Sequence, residues 1–335
     1  MNKLLFVGHA FHKKTRSSDF LVELLETQYE VSMRHVDPYS EDPYASLRGL
    51  EETHFDVLVC WQIKPPVTFI NNHIHYRQGV FFPMYDACPS VSKIERWYPY
   101  RKFHIICFSL TLHRALQRAG FSSHGIQYFP EPAARFTPGR PDQVFFWNRR
   151  EDINCDTLKQ LFKNTPLKRL HIHKALDPNK TFIPPDEQLA EEITYSEWYP
   201  QKSDMLRDMS DCAIYIAPRK KEGIGMSFLE AMAMGRCVVA PDYPTMNEYI
   251  THGKNGLLYS LQKPEALPEL SISEIQETTY QYMVDGRQSW ETNKHNILQW
   301  LTQAVRVDRK KMFLRLVLRG MTRPFKITKT LLRSR

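Results

Sequence analysis

The sequence lacks an apolar run long enough to cross a membrane. A transmembrane helix needs about 18 or more consecutive apolar residues, and no segment of the 335 residues contains such a run. The first eight residues hold one lysine and a short apolar run without a small-residue cleavage site. They predict a buried strand rather than a signal peptide. We therefore expect a cytoplasmic protein.

Cysteine pairs and metal motifs are missing as well. The six cysteines are scattered without a Cys-x-x-Cys pair, which argues against a disulfide framework or zinc site and favours a reducing compartment. There is no Asp-x-Asp motif, and the pairs His73/His75 and His171/His173 have no third ligand at a suitable spacing. Members of each pair would share one face of a strand. We expect structural roles for them and no metal requirement.

Acidic residues are nearly absent from the end of the chain. Between positions 303 and 335 there are eleven Lys or Arg and one Asp, so this segment carries +10, and the remaining residues −2, of the net charge of +8. Phe313, Leu332 and other bulky apolar residues are interspersed with these cations, as in a helix lying in an anionic membrane surface. We therefore expect the basic amphipathic tail, residues 305–335, to bind an anionic membrane surface. The alternative is a packed helix followed by a solvated tail. Since the acidic body has no nucleic-acid motif, nucleic acid is not an expected partner.

Short apolar runs alternate with helix-like segments, which predicts an α/β protein whose parallel sheets are covered on both faces. The pattern stops at Pro130–Pro141, where four prolines in twelve residues disfavour regular structure. The expected organisation is a first domain, a linker, a second domain, a crossover helix and the tail, at 1–132, 133–142, 143–286, 287–304 and 305–335. Inside the second domain, helices are predicted at Asp186–Ile193 and Lys202–Met209.

One glycine-containing loop has the features of an anion site. A strand at Cys212–Ala217 leads into a loop with Gly223 and Gly225, and a short helix at Ser227–Met234 follows. Glycine allows the backbone to approach a ligand closely. The amides of the first helical turn attract anions, and the helix dipole strengthens this. A diphosphate would fit there, although an ordinary turn is the alternative.

Two carboxylates flank this loop. Glu222 precedes it, and Glu230 lies one or two turns into the helix. Both can point into one cleft and accept hydrogen bonds from hydroxyl groups. A phosphate group between two hydroxyl-bearing units describes a nucleotide sugar. The alternative for Glu230 is a solvated position on the helix surface.

The same stretch resembles a known family. Glu222 and Glu230 have the E-x7-E spacing, Glu-Ala-Met-Ala and a short valine strand follow, and the match extends through Asn247-Glu248 to Tyr259. This text is similar to the group 1 glycosyltransferases, the large retaining GT-B family. The resemblance implies two Rossmann-like parallel-sheet domains that face each other across a cleft. It also implies a C-terminal helix that crosses back to the N-terminal domain.

The resemblance implies a role for each matched residue of a donor site. Glu222 would hold hydroxyls of the donor sugar at the reacting centre, and Glu230 would bind the ribose hydroxyls. Backbone amides would meet the diphosphate and the sugar at Gly223, Gly225, Met226 and Ser227.

In this family two cationic side chains usually pair with the diphosphate. They are an Arg after the first strand of the second domain and a Lys about five residues later. Here Asn148 and Arg149 follow that strand, and the resemblance implies that both line the site, with Arg149 pairing with phosphate. Position 154 is Asn instead of Lys. The second cation is left open among Arg150, Lys220 and Lys221, of which Lys221 is included in the expected donor site.

The first domain is expected to hold the acceptor. His9 and Arg16 lie in a basic segment after the first strand, where a doubly wound sheet presents its ligand loops, and a mobile loop is the alternative. Asp86 follows the fourth strand. It is a candidate catalytic or acceptor-orienting group, and a helix cap is the alternative.

The family resemblance therefore implies a retaining glycosyltransferase of hexosyltransferase type, without metal or other cofactor, that uses a nucleoside-diphosphate sugar as donor. Its acceptor would be a glycan or lipid-linked glycan in cell-surface polysaccharide assembly, reached from the inner face of the membrane. The alternatives are another nucleotide-sugar enzyme on the same fold, such as an epimerase, and a non-catalytic membrane-associated scaffold that binds sugar nucleotides.

Overall fold

The computed structural model describes residues 1–64, 66–185 and 189–320. The chain divides into two compact units. One contains residues 1–127 together with the segment that starts at Asn293, and the other contains residues 128–292. None of the helices in these described ranges is long and apolar enough to span a bilayer.

The first unit is built on six parallel strands in the order β2-β1-β3-β4-β5-β6. Its four inner strands are rich in buried Val, Ile, Leu and Phe, as expected for a sheet covered on both faces. The strands are β1 (Asn2–His9), β2 (Tyr29–Val36), β3 (His54–Trp61), β4 (His75–Phe82), β5 (Phe103–Cys107) and β6 (Ser123–Gly125).

Helices pack against this sheet. Ser109 caps the N-terminus of the helix at Leu110–Arg118, since its hydroxyl accepts a hydrogen bond from the Leu112 amide at 3.2 Å. The helices are α1 (His12–Thr15), α2 (Asp19–Glu26), α3 (Val67–His73) and α4 (Leu110–Arg118), with 3-10 turns at Ala45–Leu47 and Ile94–Lys102.

The second unit also has six parallel strands, in the order β12-β11-β10-β7-β8-β9. The order reverses between β7 and β10, and open α/β sheets bind ligands at the carboxyl ends of the strands at such a point. The strands are β7 (Arg140–Trp147), β8 (Arg169–His173), β9 (Glu192–Ser196), β10 (Cys212–Ile216), β11 (Cys237–Pro241) and β12 (Leu257–Tyr259). The helices are α5 (Cys155–Leu161), α6 (Lys202–Ser210), α7 (Met226–Ala233), α8 (Met246–Tyr249) and α9 (Ile272–Asn293).

The helix predicted at Asp186–Ile193 is wrong at its C-terminal end. Residues Glu192–Ser196 form β9, which pairs in parallel with β8 at the edge of the sheet. Isoleucine, threonine and tyrosine in this segment favour a strand, and pairing with β8 satisfies its backbone. The helix predicted at Lys202–Met209 is confirmed as α6.

The proline-rich segment and the end of the chain frame the second unit. Regular structure resumes at Arg140, where β7 begins. At the other end α9 continues unbroken to Asn293 and is followed by α10 (His295–Thr302) and α11 (Arg309–Gly320). The predicted return of the C-terminal segment to the N-terminal unit is confirmed.

Packing within the first unit explains this return. His104 on β5 bonds through Nε2 to the carbonyl oxygen of Gln303 at 2.6 Å, and Trp300 stacks on His124 with a centroid distance of 4.5 Å. Met312 of α11 is buried in the same hydrophobic cluster as the core of the first sheet. Residues 321–335, the part of the predicted basic tail beyond α11, lie outside the described residues.

Candidate functional site

The carboxyl ends of β7 and β10 lie side by side where the strand order of the second sheet reverses. Their parallel register pairs Phe146 with Ile216. From β7 the chain enters Asn148 and Arg149, and from β10 it enters the glycine loop before α7. The fold therefore carries the sequence-predicted donor residues of both segments to one edge of the sheet, where α/β folds bind their ligands.

Arg149 is held there by a carboxylate. Its Nη2 and Nε atoms donate to Asp177 Oδ1 at 2.6 and 3.1 Å, and its guanidinium carbon lies 5.0 Å from the centre of the Trp147 ring. Asp177 belongs to the loop after β8, and its amide donates to the Arg149 carbonyl at 3.0 Å. Arg219, three residues beyond the end of β10, places Nη2 3.4 Å from Asp177 Oδ2.

The glycine loop turns sharply into α7. Gly225 caps the helix with φ +82°, and a Cβ atom at this position would come within 1.9 Å of the buried Phe228 ring. Only glycine meets both the backbone conformation and the close contact. The turn is tied to the next loop because Thr245 Oγ1 donates to the Glu222 carbonyl at 3.2 Å. The amides of the first turn, including those of Met226 and Ser227, point out of the helix toward its N-terminal end.

Both acids of the E-x7-E pair are buried. Glu222 is 7% exposed, and its Oε2 lies 3.8 Å from Arg219 Nη1. Glu230 is 9% exposed and its Oε1 lies 2.5 Å from Nζ of Lys202, the first residue of α6. Burial raises the pKa of Glu230 and the nearby Lys202 ammonium opposes that rise. The alternative of a solvated surface position for Glu230 is therefore wrong.

The other basic side chains near the loop are placed differently. Arg150 points to Asp152 at 3.6 Å, and Lys220 lies over the Tyr243 ring at 4.8 Å from its centroid. Lys221 is exposed. Asn148 is only 3% exposed, and its backbone amide donates to the His173 carbonyl at 3.0 Å. Gly223, which precedes the turn, is also buried.

A buried polar network lies in β8 and β9. His171 and His173 both contact the Ser196 hydroxyl, at 2.8 and 2.9 Å, and the Tyr199 hydroxyl joins Ser196 to Asp208. Burial lowers the pKa of both histidines, to about 4 for His173. At neutral pH both histidines are therefore uncharged members of this hydrogen-bonded network.

The other histidine pair is not a strand pair. His73 ends α3 and lies 3.7 Å from Glu51, whereas His75 opens β4 and stacks on His54 at 5.0 Å. The shared strand face expected for this pair is wrong because the helix ends between its two members. In the part of the chain that the structure describes, no three His, Cys, Asp or Glu side chains are grouped so that they could hold a metal ion.

The acceptor candidates all belong to the first unit. His9 ends β1, and its Nδ1 accepts from the Phe11 amide at 3.0 Å. Arg16 has a 79% exposed side chain that pairs with Asp19 at 2.7 Å, after the short helix α1 that replaces the alternative of a mobile loop. Asp86 lies in a turn after β4. The next helical segment starts at Ile94, so the helix-cap alternative is wrong.

Sequence reasoning missed four residues near the candidate sites of the two units. Asp177 and Lys202 meet their partners only through folding, and no local pattern marked them. Arg219 could have been found, since it follows a buried strand directly before the glycine loop. In the first unit, His12 is packed against Gln62 and Ser17, and burial lowers its pKa to about 4.

Residues 178–273 match the family model described as glycosyl transferases group 1. This range includes the glycine loop, α7 and both buried acids. The chain carries a group 1 glycosyl transferase domain. The resemblance inferred from the sequence is thereby confirmed at the level of the family.

Solved structures share the fold of this chain at low sequence identity. Sucrose-phosphate synthase from Thermosynechococcus elongatus is 14% identical with a TM-score of 0.59, over 96% of this chain and 100% of that one. HepE from Anabaena, in complex with UDP and glucose, is 14% identical with a TM-score of 0.55, over 88% and 100%. The lipopolysaccharide outer core galactosyltransferase WaaB is 14% identical with a TM-score of 0.55, over 95% and 99%. The predicted α/β class and GT-B fold are confirmed, and no significant match was found among curated protein sequences.

This edge of the second sheet combines two kinds of chemistry. The start of α7 and the arginines beside it favour an anion. The carboxylates of Glu222 and Glu230 are acceptors for hydroxyl groups. A ligand that joins a diphosphate to hydroxyl-bearing groups on either side satisfies both.

Proposed function

We propose that the protein transfers a glycosyl group from a nucleoside-diphosphate sugar to an acceptor hydroxyl with retention at the anomeric carbon. The observation that carries this proposal is the burial of Glu222, before the glycine loop, and of Glu230, within α7. Glu222 is assigned to the hydroxyls of the donor sugar and Glu230 to the ribose. The diphosphate lies between them, against the amides of Met226 and Ser227.

The reaction needs positioning and charge stabilisation from the protein. The bond between the anomeric carbon and the diphosphate oxygen breaks, and its electron pair leaves with the nucleoside diphosphate. The acceptor oxygen forms a bond to the anomeric carbon on the same face, and its proton passes to the departing phosphate oxygen. Arg149 and the start of α7 stabilise the negative charge that grows on the diphosphate, so no metal is required in this proposal.

The first unit is proposed to hold the acceptor. Asp86 would orient the acceptor hydroxyl, and His9 and Arg16 would contact the acceptor or its phosphate. Support for a glycan or lipid-linked acceptor in cell-surface polysaccharide assembly comes from similarity to a galactosyltransferase of the lipopolysaccharide outer core.

A thermal-shift screen tests the donor proposal. The probes are UDP, GDP and ADP, and the glucose and galactose derivatives of each, with UDP compounds first because a similar structure holds UDP and glucose. A ligand at 100 times its dissociation constant adds about 2.7 kcal/mol to the stability of the native state. Absence of a shift with every probe at millimolar concentration would contradict the proposal.

Product analysis separates the alternatives. Labelled donor incubated without acceptor gives an isomeric nucleotide sugar if the protein is an epimerase. It gives a nucleoside diphosphate and free sugar if the protein is a transferase that slowly uses water. A scaffold would bind the donor and leave it intact. Retention is tested by the anomeric configuration of the product, which an inverting transferase would change.

We also propose that the basic amphipathic tail binds the inner face of the membrane, where a lipid-linked acceptor would lie. Phe313 and Leu314 of α11 are 63% and 57% exposed beside Arg309, Lys310 and Lys311. Burying such side chains contributes roughly 1.5–3 kcal/mol each.

The test is the double substitution Phe313→Ser and Leu314→Ser in the full chain. We expect at least tenfold weaker binding to phosphatidylserine vesicles, with Tyr39→Ser, which alters a 90% exposed side chain of the same unit, as the control. Substitution is preferred to truncation because Met312 is part of the core. Equal binding by the three proteins would exclude α11 as the anchor.

A further inference from the structure

Two arginines leave adjacent strands at the point where the second sheet reverses its order. Arg149 follows β7 and Arg219 follows β10, and these strands pair directly. Both side chains are 22% exposed. They are therefore partly withdrawn from water at the edge of the sheet where the glycine loop and α7 begin.

Asp177 joins the two guanidinium groups. Its Oδ1 accepts from Arg149 at 2.6 and 3.1 Å, and its Oδ2 lies 3.4 Å from Arg219 Nη2. The carboxylate is only 17% exposed. Two partly buried cations side by side would repel each other, and one shared carboxylate offsets that repulsion and fixes the direction of both planar groups. The three side chains together keep a net charge of +1.

The position at which a second cation was expected is used for another purpose. Asn154 is neutral, and its Oδ1 accepts from the Thr157 amide at 3.0 Å and from the Thr157 hydroxyl at 3.3 Å. It forms the N-terminal capping box of α5. Of the other candidates, Arg150 is directed to Asp152 and Lys220 to the Tyr243 ring, and Lys221 is exposed.

We propose that Arg219 is the second cation of the donor site and that Asp177 is the positioning residue that holds Arg149 and Arg219 as one diphosphate-binding pair. This inference rests on the proposed function. Guanidinium groups suit phosphate because their planar donors match its oxygens two at a time. The contact between Arg219 and Glu222, at 3.8 Å, also links the diphosphate subsite to the carboxylate assigned to the sugar.

The test compares nucleotides that differ only in phosphate number. Titration calorimetry with UDP, UMP and uridine, or with the guanine or adenine series if the wild type prefers that base, is carried out on the full chain. Arg219→Gln is expected to lose about 10- to 100-fold in diphosphate affinity, the scale of one or two hydrogen bonds to a charged group. Nucleoside affinity is expected to change less than twofold, since that part of the ligand does not meet the guanidinium.

Three further variants complete the set. Arg219→Lys is expected to recover part of the loss because it keeps the charge but not the planar fork. Asp177→Asn is expected to weaken diphosphate binding as well, since it releases both arginines. Arg150→Gln is the matched control, an adjacent guanidinium paired with Asp152, and should bind like the wild type. Far-UV circular dichroism and the melting temperature without ligand verify that each variant is folded.

The outcomes separate the two proposals. If the wild type binds none of the diphosphates, the proposed function fails and the inference with it. If the wild type binds and Arg149→Gln weakens the diphosphate while folded Arg219→Gln does not, only the inference fails. The inference is also overturned if Arg150→Gln loses diphosphate affinity and Arg219→Gln does not. An equal loss of diphosphate and nucleoside affinity in Arg219→Gln overturns it as well.

Discussion

Replacing Gly225 with alanine is expected to destabilise the second unit more than the same replacement at Gly253. Both glycines have positive φ, +82° and +77°, and a non-glycine residue in this conformation costs roughly 1–2 kcal/mol. The two sites differ in the space available for an added Cβ atom. An added Cβ at Gly225 would lie 1.9 Å from Cε1 of the fully buried Phe228, whereas at Gly253 its nearest neighbour is Leu270 Cδ1 at 3.8 Å.

Forcing a methyl group into a packed site costs a further 1–3 kcal/mol, roughly. The expected total for Gly225→Ala is therefore about 2–5 kcal/mol, against about 1–2 kcal/mol for Gly253→Ala. Urea unfolding followed by circular dichroism measures both from the shift in midpoint at constant slope. Gly225→Ala should also bind nucleoside diphosphates more weakly, because relief of the overlap moves the first turn of α7. Equal midpoint shifts for the two variants would refute the steric argument.

Three other predictions concern buried or turn side chains. Arg236 is 1% exposed and donates to backbone carbonyls of several segments. Arg236→Met is therefore expected to lower the free energy of unfolding, measured in urea, by about 3–5 kcal/mol. The control Arg207→Met, at a side chain that is 72% exposed, is expected to lower it by less than about 0.5 kcal/mol. Burial raises the pKa of Glu230 above 4.5, so wild-type stability should fall relative to Glu230→Gln as the pH rises above 4.5; a difference in unfolding free energy that is constant from pH 4 to 8 would contradict this. Asp86→Ala is expected to lower turnover without changing the melting temperature, and near-normal turnover would remove Asp86 from the mechanism.

The parts of the fold that the sequence predicted are those with local signals. Strand β10 was predicted to within one residue of its observed end because Cys212–Ala217 is a continuous apolar run. The loop before α7 was predicted because Gly223 and Gly225 interrupt a strand-to-helix transition. Its resemblance to the family motif then implied roles for Glu222 and Glu230. The burial of both side chains agrees with a ligand site more than with a solvated surface.

The parts that could not be predicted depend on contacts distant in sequence. Asp177 meets Arg149 and Arg219 across 28 and 42 positions, and nothing in its own neighbourhood indicates those partners. Strand β9 was misassigned in part because an edge strand receives its stability from pairing with β8, which local composition does not contain. Asn154 could be recognised as a departure from the family pattern, but not as the cap of α5.

The first unit consists of two stretches of chain separated by the whole of the second. Met312 packs into its hydrophobic cluster, and the Asp308 amide donates to the Gly120 carbonyl at 2.9 Å. During synthesis the six strands of the first sheet leave the ribosome long before these late residues do, whereas the second unit emerges as one continuous piece. A chain released from the ribosome before Asp308 is thus expected to contain all of the second unit and a first unit whose core lacks Met312.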